Sequence, residues 1–230
     1  THFCDEHTKI ERHQAEKIVD ALTRLHADFY QSPELGSASL PFMTWPQWWQ
    51  GFIDGFPGFA ESCDKAFGLA EPYIPPRLFR RRAEIWPATL ASVERHNTLP
   101  KTLTHADVHL GNWYIAGNGD MGVTDWQGVC VGHWSRDLAY ALSTTLAIEN
   151  RRGWMEDLIR LYIERMAEYG APRIAYAEAL LNVRQQLMTT LAWWTITLVP
   201  APGMPAVLQP PQFVLELIKR ITAAIDDLDA

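Results

Sequence analysis

His105, Asp107 and Asn112 stand in the register H-x-D-x-x-x-x-N, and further along the run Met121-Gly122-Val123-Thr124 ends on Asp125. Phosphoryl transfer to a hydroxyl needs such a set. One carboxylate accepts the hydroxyl proton, while an amide oxygen and a second carboxylate hold Mg²⁺ against nucleotide phosphates, because that transition state is stabilised by position and charge. Asp107 suits the first role, and Asn112 and Asp125 suit the second.

The elements that must position these residues are legible locally. Residues 101–104 read as a short strand entering a loop, and 112–116 and 121–125 read as two strands around the turn Gly117-Asn118-Gly119-Asp120. A hairpin brings its ends together, so Asn112 and Asp125 become neighbours. Mg²⁺ takes oxygen ligands, keeps several waters and uses only one or two carboxylates plus substrate phosphates, so an Asn-Asp pair is chemically sufficient.

Three motifs in this order resemble the catalytic segment of the protein-kinase-like fold, in its small-molecule branch of aminoglycoside phosphotransferases, choline kinase and ecdysteroid-kinase-like proteins. The residues are His105-Ala106-Asp107-Val108-His109-Leu110-Gly111-Asn112, then Val123-Thr124-Asp125-Trp126-Gln127, then Asp137-Leu138-Ala139. The resemblance implies Asp107 as base, Asn112 and Asp125 as metal ligands, ATP and Mg²⁺ as cofactors, and Asp137 as a buried acid that steadies the catalytic loop. His105 and His109 are expected to brace that loop through backbone hydrogen bonds, and Asp137 is also in place to cap the helix that follows it.

Departures from the protein-kinase pattern narrow the acceptor. Ala106 stands where kinases of the H-R-D type carry Arg, which removes a partner for a phosphorylated activation loop. Trp126-Gln127 replaces Phe-Gly, and the short run to Asp137 leaves little room for a peptide-binding segment. Both favour a small-molecule hydroxyl over a protein substrate.

Kinase-like folds hold ATP beneath a smaller lobe with a glycine-rich cover and a strand lysine. Neither precedes Asp107: Lys9 and Lys17 lie in a helical pattern, Lys65 lies between breakers, and Lys101 adjoins the loop itself. The expected fold class is α+β, mostly α-helical: the C-terminal lobe of a protein-kinase-like fold over residues 1–230, with the N-terminal nucleotide lobe absent. Within it lie an irregular helical insert (31–76), the catalytic loop and metal-binding hairpin (101–126) and a helical subdomain (137–230). The sequence starts without Met, and a fragment of a longer protein is expected ahead of a split gene product or a lost lobe. The isolated chain is then expected to phosphorylate slowly or not at all, with the missing lobe as its partner.

The bulk properties set outer bounds. A chain of 230 residues, 47% hydrophobic, can bury one sizeable core, and its net charge of −7 disfavours nucleic acid as a partner. Cys4, Cys63 and Cys130 show no paired spacing, which points to a reducing, cytoplasmic compartment. The N-terminus lacks the order of a signal peptide, and residues 187–199 fall short of the roughly 20 that span a bilayer.

Helical spacing runs over 10–30, 45–56, 60–70, 76–96, 137–148, 153–169, 172–198 and 212–228, with a proline-broken connection over 200–211. Trp45, Trp48, Trp49, Phe52 and Phe56 make one helix unusually aromatic. Such a stripe is usually core, yet Trp48 and Trp49, with Trp193 and Trp194 on a later helix, are candidates for walling an acceptor pocket. Arg77, Arg80, Arg81 and Arg82 read as a solvated basic face rather than a nucleic-acid contact, since no aromatics interleave. Gly117-Asn118-Gly119-Asp120-Met121-Gly122 spells G-x-G-x-x-G, but it follows the catalytic loop and reads as a hairpin tip whose glycines serve positive φ.

Two other function classes fit parts of the pattern. His105, Asp107 and His109 alternate along an extended segment and, with His133, form a candidate Zn²⁺ or Fe²⁺ set for a hydrolase or oxygenase, although that leaves Asn112, Asp125 and Asp137 unexplained. The other is a non-catalytic interaction module that kept the fold. The acceptor's identity and the oligomeric state are not encoded in any motif.

Overall fold

A two-residue strand, β1 (His2–Phe3), precedes the first amphipathic helix, α1 (Arg12–Asp28). The computed structural model describes residues 1–205 and 209–230, so the connection expected over 200–211 lies partly outside the described residues. Helix α1 starts where the Gln14 side chain accepts from the Glu11 N–H at 2.8 Å, and it buries Ala15, Ile18, Val19 and Leu22. Thr23 and His26 share that buried face, whereas Leu25 is only half-buried.

The expected insert contains two packed helices, α2 (Trp45–Gly55) and α3 (Phe59–Leu69). A capping box fixes the start of α2. Thr44 N–H donates to Gln47 Oε1 at 2.9 Å, and Gln47 N–H donates to Thr44 Oγ1 at 3.4 Å, which satisfies backbone donors that the first helical turn leaves free. Just upstream, Met43 O accepts from the Val131 N–H at 2.9 Å, so the insert is pinned beside the segment that carries the candidate site residues.

The single helix expected over 76–96 is two: α4 (Pro76–Phe79) and α5 (Arg82–Glu94). The two pieces bury against different partners. Helix α4 docks on the last helix, α9 (Pro211–Leu228), whereas α5 lies against α3 and α8 (Tyr176–Leu198), and the chain pivots at Arg80–Arg81 to serve both. The arginine cluster faces solvent, as expected, and is ion-paired there: Arg77 with Asp226, Arg81 with Glu84 and Arg82 with Asp64.

Strands are short and local. β2 (Thr102–Thr104) pairs antiparallel with β5 (Cys130–Gly132), a strand too brief to stand out in the sequence. β3 (Trp113–Ile115) and β4 (Met121–Val123) form the expected hairpin, and β1 adds to the outer side of β3. Of the hairpin glycines only Gly119 has positive φ, at 81°. Gly122 is there for a different reason, since a methyl group at that position would strike the ring of Tyr114 across the ladder. Lys17 of α1 holds the tip, donating to Gly119 O at 3.0 Å and Asp120 Oδ1 at 2.7 Å.

Helix α6 (Ser135–Thr145) is buried along its whole length, packed by α8 and α9. Helix α7 (Ile148–Glu168) closes the molecule against α1. Among the described residues no helix is long and apolar enough to cross a membrane.

Candidate active site

Residues 105–112 leave β2 and enter β3 as a loop held from beneath by α6. Asp137 does not cap that helix, which begins two residues earlier at Ser135; its carboxylate turns instead to the loop. It accepts from the His105 N–H at 2.7 Å and the Ala106 N–H at 2.9 Å, and His26 Nε2 lies 3.2 Å away. Burial works against its ionisation, but the His26 hydrogen bond and the neighbouring charges outweigh it and hold the carboxyl below its ordinary pKa. A buried anion so bonded fixes a backbone that is otherwise strained, since Ala106 sits at φ 66°.

The loop side chains are ordered by the same logic. His105 Nε2 donates to Thr124 O at 2.9 Å, and its Nδ1 accepts from the Asp107 N–H at 3.3 Å, so the ring ties this loop to the strand that leads to Asp125. His109 Nδ1 accepts from the Gly111 N–H at 3.1 Å, and burial lowers its pKa although Asp107 lies nearby. Trp194 and Phe213 pack edge-on against the His109 ring from below.

Asp107 is bonded at both oxygens. Tyr140 O–H donates to Oδ1 at 2.9 Å, and Asn112 Nδ2 donates to Oδ2 at 3.2 Å and to the Asp107 carbonyl at 2.8 Å. A carbonyl only accepts, so this contact fixes the Asn112 amide with its nitrogen towards Asp107 and leaves its oxygen for another partner. Thr124 N–H donates to Asn112 O at 2.8 Å, so Asp125 follows directly on the residue paired with Asn112. Asp125 is exposed, in the left-handed region at φ 64°, with one long contact from Gln127 Nε2 at 3.4 Å. The available donors are therefore an amide oxygen and a lightly bonded carboxylate, a set suited to a hard cation such as Mg²⁺.

The alternative His/Asp set does not assemble. His105 Nε2 is engaged by Thr124 O, the Nδ1 atoms of His105 and His109 accept from the loop's own N–H groups, and His133 Nδ1 lies 2.7 Å from Ser135 Oγ. Among the described residues no group of three or more His, Cys, Asp or Glu side chains is placed to hold a metal ion.

The four candidate tryptophans divide. Trp49 is buried against Phe59, and Trp194 is buried under His109, so both are core. Trp48 and Trp193 are half-buried and, with Phe52, line a cleft of about 220 Å³. Its other wall is Ala106, Asp107, Gln127 and Gly128, which puts Asp107 at the foot of an aromatic surface.

Three residues at the site carried no signal of their own in the sequence. Tyr140 follows Asp137 by one helical turn, and that spacing within α6 is the only sequence clue that it faces the loop. Arg136 is buried between the rings of Trp45 (4.6 Å) and Tyr140 (4.4 Å) and donates to Ala106 O at 3.2 Å. His26, a lone histidine in an apolar stripe, joins Asp137 to Tyr162, whose hydroxyl lies 2.7 Å from His26 Nδ1.

The sequence model of the phosphotransferase enzyme family matches residues 4–175. No curated protein matches the chain. Among solved structures, the ethanolamine kinase of Plasmodium vivax superposes with a TM-score of 0.55 at 12% identity, over 100% of this chain and 64% of that one. At this identity the likeness is one of fold. The chain thus spans less than two thirds of that kinase.

Proposed function

Because the chain belongs to the phosphotransferase enzyme family, we propose that it carries the catalytic residues of an ATP- and Mg²⁺-dependent kinase acting on a hydroxyl group of a small molecule. The observation that carries this reading is Asp107, bonded by Asn112 and Tyr140, at the foot of a cleft open to a small molecule. Asp107 receives the acceptor's hydroxyl hydrogen bond and takes its proton as the phosphoryl group leaves the nucleotide. Tyr140 and Asn112 hold the carboxylate in place, so little reorganisation is required when the alcohol arrives.

Asn112 Oδ1 and Asp125 would hold the metal, which when bound neutralises charge on the nucleotide phosphates. The smaller nucleotide-covering lobe belongs to polypeptide outside this chain; the lack of a glycine-rich cover and strand lysine before Asp107 supports this, as does the 64% span of the related fold. Trp48 and Trp193 contact the acceptor.

The test is phosphoryl transfer from ATP to an alcohol by the protein that includes that lobe. The Asp107→Ala variant is expected to lose on the order of 10²–10⁴ in turnover, as for a lost general base. Retention of full turnover would contradict the assignment. The 230-residue chain alone is expected to turn over slowly or not at all, and ordinary kinase turnover by it would remove the need for an outside lobe.

A further inference from the structure

We infer that the acceptor is an uncharged alcohol borne on a ring system, because Trp48, Phe52 and Trp193 form one continuous aromatic wall in the cleft that Asp107 also lines, and Asp107 is the only carboxylate among the described lining residues. This rests on the kinase reading of the same site and names the substrate class it takes.

The three rings touch one another. Trp48 lies 4.4 Å from Phe52 and 5.2 Å from Trp193, and Phe52 meets Trp193 at 5.3 Å and 87°. Rings in mutual contact present a wall rather than a cage, since a cage needs ring faces set apart around the cation they enclose. A wall stacks rings.

Charge points the same way. A polycationic acceptor needs several carboxylates, and the described lining residues offer Asp107 alone, with the Gln127 amide beside it. An ammonium group drawn to Asp107 would occupy the oxygens that must receive the hydroxyl, both of which already accept hydrogen bonds from Tyr140 and Asn112. Behind the floor, Arg136 and Asp137 are adjacent and of opposite sign, and Arg136 donates to Ala106 O, itself part of the lining. With about 220 Å³ the space suits a small ring system.

Calorimetric titration of the chain with three probes decides the matter: naphthylethanol, choline, which carries the same hydroxyethyl arm on a quaternary ammonium, and kanamycin, a polycation. Naphthylethanol is expected to bind saturably and about tenfold or more tighter than either cation, and to weaken by about tenfold in Trp48→Ala and in Trp193→Ala, in line with the loss of an aromatic contact. Choline or kanamycin binding as tightly as naphthylethanol overturns the inference, and so does the absence of saturable naphthylethanol binding to the native chain. Unchanged affinity in folded variants, checked by thermal melting, overturns it as well. No phosphoryl transfer enters these readings, so their failure is separate from a failure of the kinase reading, which rests on turnover and its loss in Asp107→Ala.

Discussion

At Asp107 the chemistry and the support come from different parts of the chain. The proposed base and Asn112 share one loop, so their relation is written in a fixed spacing; Tyr140 reaches Oδ1 from α6, and only the packing of that helix under the loop brings it there. Burial and the nearby Asp107 charge raise the Tyr140 pKa well above its ordinary value, so its hydroxyl stays a donor. Tyr140→Phe keeps the ring against Arg136 and deletes the bond. It is expected to lower kcat by about tenfold, the worth of a hydrogen bond to a charged group, with the KM for nucleotide and the melting temperature little changed. An equal fall in stability, or an unchanged kcat, would show that the hydroxyl does no more than fill space. The tryptophans teach a related lesson. Helical spacing marks the whole aromatic stripe of α2, but neighbouring residues on a helix point about 100° apart, so Trp48 and Trp49 have opposite fates that no pattern of residue types assigns.

Helices in this protein position the loop by supplying buried charge where backbone groups would otherwise lack partners. Asp137 does this for His105 and Ala106, and Arg220 does it at the other end of α6, donating from α9 to Thr144 O at 3.0 Å. Replacing Asp137 by Ala strands two buried backbone donors and His26; the expected cost is about 3–5 kcal/mol, the range for breaking a buried charged pair, measured as a shift in the denaturant midpoint. Arg220→Ala leaves helix-terminal carbonyls without their donor and is expected to cost about 1–3 kcal/mol. A cost near zero for Asp137→Ala would mean that the loop holds its own shape. The hairpin and most helices were readable because their periodicity and turns are local. The break between α4 and α5 was not, because it answers to two distant surfaces, and neither was β5, whose three residues carry no period and gain strand form only by pairing with β2.

On the scale of the whole molecule, the packing of α5, α8 and the approach to α6 meets at a buried histidine. His96 Nε2 donates to Gln186 Oε1 at 2.8 Å, and its Nδ1 accepts from the His133 N–H at 3.1 Å, an arrangement that requires the neutral ring. Burial pushes its pKa down from 6.5 to about 4, and burial likewise takes His133 well below its ordinary value. Between those limits the unfolded chain binds a proton that the folded chain refuses. Stability is therefore intact above about pH 6.5 and falls as the pH drops towards about 4, by on the order of 3 kcal/mol for His96. Urea titrations across that window are expected to show this slope, flattened in His96→Gln; parallel curves for native and variant would contradict it. The sequence suggested a mostly helical chain with one sizeable core, and the fold has that character, but which helix lies at its centre depended on the burial of α6, whose polar residues Ser135, Arg136 and Asp137 conceal its interior position.

The central claim is that Asn112 and Asp125 make one hard-cation site beside Asp107. Electron paramagnetic resonance of Mn²⁺, a stand-in for Mg²⁺, titrated into the protein with ATP tests it most directly. The account expects bound Mn²⁺ in the native protein, its loss in Asp125→Ala and in Asn112→Ala, and its retention in Asp107→Ala. Equal Mn²⁺ binding by the native protein and Asp125→Ala would contradict it.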